Sequence, residues 1–221
     1  MDFNLTEEQR MWQDMVHTFA AKEIKPKAAE LDEHHEVHWE AIRKMGPLGL
    51  LGLNVEERYG GTGLDAISAA IAIEEIGWGD GGTGLALAAH NGLGCHPITL
   101  FGTPEQKQRF LPSVVSGQGK LAALALTEPQ AGSDLQGIQT RAELRGEEWV
   151  INGSKMWITN AGAAEYIVTL VRTPEADDEH AMSMLIVPVG TPGLHIAPPE
   201  KKMGVRGSHS NAISYEQVKV P

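Results

Sequence analysis

Over roughly the first 115 positions the apolar residues recur with helical spacing. Trp12, Met15, Val16 and Phe19 form one stripe with a polar face opposite it, the pattern of a helix laid against a core. Thr6 stands ahead of that stripe with Gln9 three positions on, and a hydroxyl and an amide at this spacing make a capping box. A second helix is predicted over Trp39 to Met45, stopped by Gly46 and Pro47, with Leu48 to Leu53 as an apolar connector. Asp65 is a cap for a third helix through Ile67, Ala70, Ile71 and Ile76, apolar nearly all round and therefore central in its domain. The glycine-rich stretch from Gly77 to Gly84 is expected to end it. Another helical segment runs from about Leu85 toward Phe101, interrupted by Gly92, Gly94 and Pro97, and Thr103, Pro104 and Gln106 then repeat the start signal.

From about Lys120 the pattern becomes short apolar or alternating runs set between turn residues, which predicts an antiparallel β domain. The runs are Leu121 to Leu126, Ile138 to Leu144, Trp149 to Ile151, Met156 to Ile158, Tyr166 to Val171, Met184 to Val189 and Ile213 to Val218. Asn152 and Gly153 between two of them read as a tight turn, since both residues tolerate positive φ. Thr173 to His180, with Pro174 and a run of acidic side chains, reads as a solvated loop. The predicted class is α+β and multidomain: an all-α domain over 1–119, then an antiparallel β-barrel-like domain over 120–221.

Composition fits this division, because 221 residues with 42% hydrophobic content can supply two cores. Charge narrows the function: 18 Lys and Arg against 29 Asp and Glu give a formal net charge of -11. Broad attraction to nucleic acid or to an anionic membrane is thereby disfavoured, and an anionic ligand has to be held locally. The single cysteine, Cys95, cannot form an internal disulfide, fits a reducing compartment, and is expected to be a small packing residue. The first ten residues lack a basic stretch followed by an apolar one, and no apolar run reaches the roughly 20 residues of a membrane span. A cytoplasmic protein is expected, and a matrix enzyme after removal of its transit peptide would look the same.

The segment from Ala125 through Thr127, Glu128, Gly132, Ser133 and Asp134 to Gly137 leaves a strand and enters a loop rich in hydroxyls and small residues. Small side chains let backbone amides approach a planar cofactor or a phosphate. Composition alone fits a structural surface loop as well. His34 and His38 have the i,i+4 spacing of a metal grip, but without a third ligand they read as a solvated face. Gly60-Gly61-Thr62-Gly63 and Gly79 to Gly84 lack the preceding strand and the lysine of a P-loop and read as turns joining helices. His90 reads as a packed histidine rather than a ligand.

The whole string from Ala125 to Gly137 resembles the signature of the acyl-CoA dehydrogenases. So, in order, do Asn152 to Asn160 (NGSKMWITN) and Lys202 to Ser208 (KMGVRGS), and also Phe101 to Lys107. The resemblance covers essentially the full length, and the Ala89-His90-Asn91 neighbourhood is most similar to isovaleryl-type and to branched or short-chain bacterial members. It implies FAD as cofactor and α,β-dehydrogenation of an acyl-CoA: a base takes the α proton while the β hydrogen leaves as hydride. Leu126 and Thr127 would then hydrogen-bond the flavin ring, with Thr127 near the hydride-accepting edge. Gly132 would lie in the same loop, Ser133 near the flavin pyrophosphate and the pantetheine arm of the substrate, and Trp157, Ile158 and Thr159 against the ring. Leu124 would act through its backbone, since the family often has an aromatic there.

The same resemblance implies an electron-transfer flavoprotein as electron acceptor and a homo-oligomer, a tetramer, in the full-length family. The family keeps its catalytic glutamate in a C-terminal helical domain, which is expected to be missing here, because the matching region closes at Val218 to Pro221. No glutamate of this sequence inherits that role; Glu128 is expected to shape its loop and Asp134 to cap a turn. The 221-residue chain is therefore expected to bind FAD weakly and to turn over poorly. Two alternatives stand beside this reading: an acyl-CoA oxidase, and a non-catalytic flavin or acyl-CoA binding chain that needs a partner.

Overall fold

The computed structural model of the chain describes residues 4–173 and 181–221, so most of the acidic stretch expected as a solvated loop lies outside the described residues. Two compact units emerge: Met1–Lys120 with Lys201–Ser208, and Leu121–Glu200 with His209–Pro221.

In the helical unit α1 spans Glu7–Phe19 and opens with the predicted capping box. Thr6 Oγ1 accepts from Gln9 N–H at 3.1 Å while the Gln9 side chain accepts from Thr6 N–H at 3.0 Å. The chain then continues through a π-helical turn, Ala20–Ile24, into α2 (Ala28–His34), which the apolar spacing did not predict because none of its residues is buried. His35 in a left-handed conformation (φ 59°) closes α2. Helix α3, Trp39–Met45, has the predicted bounds and is capped by His38, whose Nδ1 accepts from Ala41 N–H at 3.2 Å. His34 and His38 thus belong to different elements, and no group of three or more His, Cys, Asp or Glu among the described residues is placed to hold a metal.

Helix α4 (Ala66–Gly79) starts at Asp65, whose carboxylate accepts from the N–H groups of Ile67 and Ser68 at 2.8 and 3.1 Å. The glycine-rich run does not form the expected connector. Asp80 alone separates α4 from α5 (Gly81–Ala88) and caps the new helix through Gly82 and Thr83. Gly84 is small for packing, since a Cβ there would lie 2.6 Å from Gly77 Cα. Likewise Gly92, Gly94 and Pro97 do not break the next segment: α5 widens into a π-helical stretch, Ala89–Cys95, and continues as α6, His96–Phe101. Helix α7, Pro104–Val115, has its proline in the first turn and the second capping box. Cys95 is fully buried as a packing residue, its Sγ 3.6 Å from His90 Nε2. Among the described residues no helix is long and apolar enough to cross a membrane.

The segment Lys201–Ser208 belongs to this unit. Arg206 N–H and Nε donate to the two Asp32 oxygens at 2.7 and 2.8 Å.

The second unit is one curled sheet of seven strands: β1 Leu121–Ala125, β2 Arg141–Arg145, β3 Glu148–Thr159, β4 Ala164–Arg172, β5 Met182–Pro188, β6 Leu194–Ile196 and β7 Ser210–Val220. The order is β1-β4-β2-β3-β7-β6, with β5 also on β4. Antiparallel pairing holds for β2–β3, β3–β7, β4–β5 and β6–β7. It does not hold for β1, which pairs parallel to β4, so the sheet is mixed. Ile151, Ile158, Ile167, Val187, Ile213 and Val218 face its core.

The Asn152-Gly153 turn is corrected by the structure. β3 runs straight through both residues, and the β2–β3 hairpin turns instead at Gly146 (φ 68°). Gly153 (φ 146°) sits at an irregularity in the pairing with β7, where a Cβ would come within 2.6 Å of Thr140 Cα. Close approach to Thr140, just ahead of β2, and not a change of direction, is what needs the glycine there.

Candidate functional site

At its C-terminal end β1 runs into the loop that carries the first motif, and two neighbours hold that exit. Met156 N–H on β3 donates to the Thr127 carbonyl at 2.8 Å. Lys155 Nζ donates to the Leu126 carbonyl at 2.9 Å and to Glu128 Oε1 at 2.9 Å. The loop closes on itself where Glu128 N–H donates to Ala131 O at 2.9 Å and Ala131 N–H returns to Glu128 O at 3.1 Å.

Glu128 is the centre of this arrangement. Besides Lys155, its carboxylate accepts from Thr140 N–H at 3.0 Å, Gln139 N–H at 2.6 Å and Gln130 Nε2 at 2.7 Å. The side chains of Lys155 and Glu128 are 0% and 2% exposed, so the ion pair is desolvated, with two acceptors at the ammonium and four donors at the carboxylate. Such a pair tolerates burial only when its remaining hydrogen-bonding capacity is met. Burial pushes the Glu128 carboxyl upward, but hydrogen bonds from Thr140, Lys155 and Gln139 outweigh it and leave the pKa at about 2. Burial pulls Lys155 below the ordinary lysine value, against the opposing pull of Glu128. A carboxylate locked in this way shapes the loop, as expected of it, and has no lone pair directed at a substrate proton.

Next to Met156 on β3 stands Trp157. Its pairing with β7 shifts between Lys155 and Ile158, and Trp157 takes the left-handed conformation, φ 58°. For a bulky residue that backbone costs of order 1–3 kcal/mol. The strain re-aims the indole, which is 61% exposed within a strand whose neighbours Lys155 and Ile158 are buried. An indole offers a large flat apolar face, and here it is presented outward at the position where the Thr127 backbone meets β3.

The structure therefore brings Leu126, Thr127 and Trp157 to the place where the β1 exit meets β3, with Leu126 and Thr127 half-buried. Thr159 is half-buried further along β3, and Leu124 is half-buried on β1 between buried Ala123 and Ala125. Ile158 is 3% exposed and packs in the core, so only its backbone can face a ligand. Gly132 and Ser133 are exposed in the loop beyond the Glu128–Ala131 bridge. Asp134 accepts from Gln136 N–H at 3.1 Å and caps the turn Leu135–Gly137 as expected.

A separate hollow of about 320 Å³ opens beside β3, β6 and β7, lined by Pro129, Met156, Ile196, Ala197, Ala212 and Ile213 among others. It shares Lys155 and Met156 with the clamp but contains none of the eight residues expected at the cofactor.

Lys155 and Met156 are the residues that sequence reasoning missed. In the sequence they are two letters of the NGSKMWITN string, and nothing local marks Lys155 as buried or pairs it with Glu128, 27 positions away.

The edge fits a flat, partly polar ring: an exposed indole, a hydroxyl at Thr127, and main-chain groups whose orientation is fixed from behind. The family model described as the N-terminal domain of acyl-CoA dehydrogenase matches residues 6–118, and the one described as the middle domain matches residues 123–218. A probable acyl-CoA dehydrogenase of Bacillus subtilis, YngJ, is 50% identical over 222 aligned positions, covering 100% of this chain and 58% of that protein. The structure of butyryl-CoA dehydrogenase from Megasphaera elsdenii superposes with a TM-score of 0.92 at 38% identity, over 100% of this chain and 58% of that one. That of an acyl-CoA dehydrogenase complexed with FAD from Bacillus anthracis does so with a TM-score of 0.90 at 38% identity, over 99% and 37%. The chain thus spans a little over half the length of the curated relative it matches.

Proposed function

The chain belongs to the acyl-CoA dehydrogenase family, and from that premise we propose that it serves the FAD-dependent α,β-dehydrogenation of an acyl-CoA thioester to the 2-enoyl-CoA, holding the flavin at the β1–β3 edge. The observation that carries this reading is Trp157: a strained, exposed indole beside a loop exit whose carbonyls are already occupied. Strain of this kind persists where the surrounding structure over-determines it, and it clusters at ligand sites.

When bound, FAD supplies the acceptor for the hydride that leaves the β carbon. The work of this chain is to bind, orient and exclude water. Trp157 and Thr159 cover the ring. The Thr127 hydroxyl and the main chain of Leu126 and Thr127 hydrogen-bond its edge. Leu124 and Ile158 contribute backbone, Gly132 keeps the loop close, and Ser133 serves the pyrophosphate and the pantetheine arm. Glu128 shapes the loop in this reading rather than acting as the base, which its four hydrogen-bond donors support. Residues 1–119 form the helical domain in this proposal and 120–221 the flavin and acyl-CoA binding domain. An electron-transfer flavoprotein as electron acceptor, a homotetramer, and a cytoplasmic or mitochondrial-matrix location complete it.

The test is equilibrium dialysis of the chain against FAD, followed by acyl-CoA and an electron-accepting dye. Uptake of flavin with a resolved visible band, lost in Trp157→Ala and in Thr127→Ala, is expected. No uptake at saturating FAD, or undiminished uptake in both variants, contradicts the proposal. Flavin bleaching by acyl-CoA in the presence of this chain alone would show that it carries its own base, and rapid reoxidation in air would favour an oxidase.

A further inference from the structure

Two successive peptide groups at the β1 exit are fixed by neighbours, through three hydrogen bonds. The Leu126 carbonyl is held by Lys155, the Thr127 carbonyl by Met156, and the Glu128 N–H by Ala131. The first of these has a geometric consequence. The Leu126–Thr127 peptide is trans, and in a trans peptide the carbonyl and the N–H point in opposite directions. With the Leu126 oxygen turned toward the buried ammonium, the Thr127 N–H is turned away from it.

We propose that Lys155 is a positioning residue for the flavin edge: by holding the Leu126 carbonyl it sets the direction of the Thr127 N–H toward the ring. The inference rests on the flavin reading above and goes beyond it, because it gives a role to a side chain that touches no ligand. It also explains why a lysine is buried here at all. A buried ammonium needs acceptors beyond its ion-pair partner, and here the second acceptor, at the same 2.9 Å, is the Leu126 carbonyl at the β1 exit. Glu128 in turn supports Lys155 and, through Gln139 and Thr140, ties the start of β2 to the same centre. A single buried charge pair therefore joins β3, the β1 exit and the chain leading into β2. Preorganised hydrogen-bond donors keep their orientation without reorganising when a ligand arrives.

The purely structural alternative treats the two charges as equivalent, so that breaking the pair from either side has the same effect. The positioning role separates them. In Glu128→Gln the ammonium still reaches the Leu126 carbonyl; in Lys155→Met nothing does. The experiment is a FAD titration of the full chain, followed by flavin absorption and visible circular dichroism, on wild type, Glu128→Gln, Lys155→Met and the double variant, each shown to be folded by far-ultraviolet circular dichroism. The double variant removes both charges and keeps the test valid if Lys155→Met alone fails to fold.

The expected result is that the double variant binds FAD at least tenfold more weakly than Glu128→Gln, and that its bound flavin loses the resolved visible band. Equal affinity and equal band shape in these two folded proteins overturn the proposal. If wild type takes up no flavin, the flavin reading fails, and Lys155 is judged by the amide resonance of Thr127 in the nitrogen-15 spectrum. One sharp peak in Glu128→Gln against a split or broadened peak in the double variant supports positioning; identical peaks overturn it.

Discussion

The two units bury polar groups in different ways. In the helical unit the group that pins the connector is neutral, although Glu75, also buried there, pairs with His17. Asn91 donates to the carbonyls of Leu50 and Leu87 at 3.0 and 3.2 Å and accepts from Leu53 N–H at 2.9 Å, while His90 Nε2 donates to Leu51 O at 2.9 Å. Together they pin the apolar connector between α3 and α4. In the β unit the buried polar centre at the β1 exit is charged, Lys155 with Glu128, and it pins the loop there. A neutral amide suffices to satisfy a backbone, because it has donors and an acceptor of its own. Charge adds stronger bonds and a steeper penalty for losing either partner. On the function proposed above, the difference teaches that the charged arrangement stands where orientation matters, at the flavin edge, and the neutral one beside the connector where the chain path matters.

Removing one charge is the largest way to break this contrast. Lys155→Met leaves Glu128 buried and unpaired and is expected to cost about 3–5 kcal/mol, read by urea unfolding at neutral pH. Asn91→Ala in the helical unit orphans buried backbone groups but no charge, with an expected cost of about 2 kcal/mol. Equal costs for these two substitutions would remove the distinction between the units.

Acid sharpens the same contrast by window rather than by size. Burial lowers His90 to about 4 from its ordinary 6.5. The unfolded chain therefore binds this proton first, and stability in the helical unit falls as pH drops from 6.5 toward 4. Glu128, at about 2 against an ordinary 4.5, contributes stability that is complete above 4.5 and is lost progressively as pH falls from 4.5 through 2. Each amounts to something on the order of 3 kcal/mol. Hydrogen exchange resolved by residue should show amides around Leu50 to Leu53 losing protection at a higher pH than those of Gln139 and Thr140; the reverse order would contradict the assignment.

The smallest expected effect on stability belongs to the most exposed member of the site. Trp157 is 61% exposed, so Trp157→Ala should change unfolding free energy by no more than about 0.5 kcal/mol, the range for surface substitutions. Trp157→Gly should be neutral or stabilising, because glycine accepts φ 58° without strain.

Much of the fold was legible because its signals are local. Both capping boxes, the Asp65 cap and the bounds of α3 depend on residues three or four apart. What was misread depends on contacts distant in sequence: Gly84 against Gly77, Gly153 against Thr140, and the parallel pairing of β1 with β4. A glycine looks the same in a string of letters whether it makes a turn or admits a neighbouring backbone. β6, only three residues long, carries too little alternation to detect. At the site, the resemblance singled out Thr127 and Trp157, and the fold brings their backbones together through Met156. The lysine between them in function was not legible, because its partners, Leu126 and Glu128, lie 29 and 27 positions away.

The most direct test of the central claim is the tryptophan fluorescence of the chain during FAD titration, compared between wild type and Trp157→Phe. A ring seated on the indole quenches Trp157 in proportion to flavin uptake, and most of that quenching should vanish in Trp157→Phe while the other four tryptophans respond alike. Identical quenching curves in the two proteins would place any bound flavin elsewhere and contradict the account.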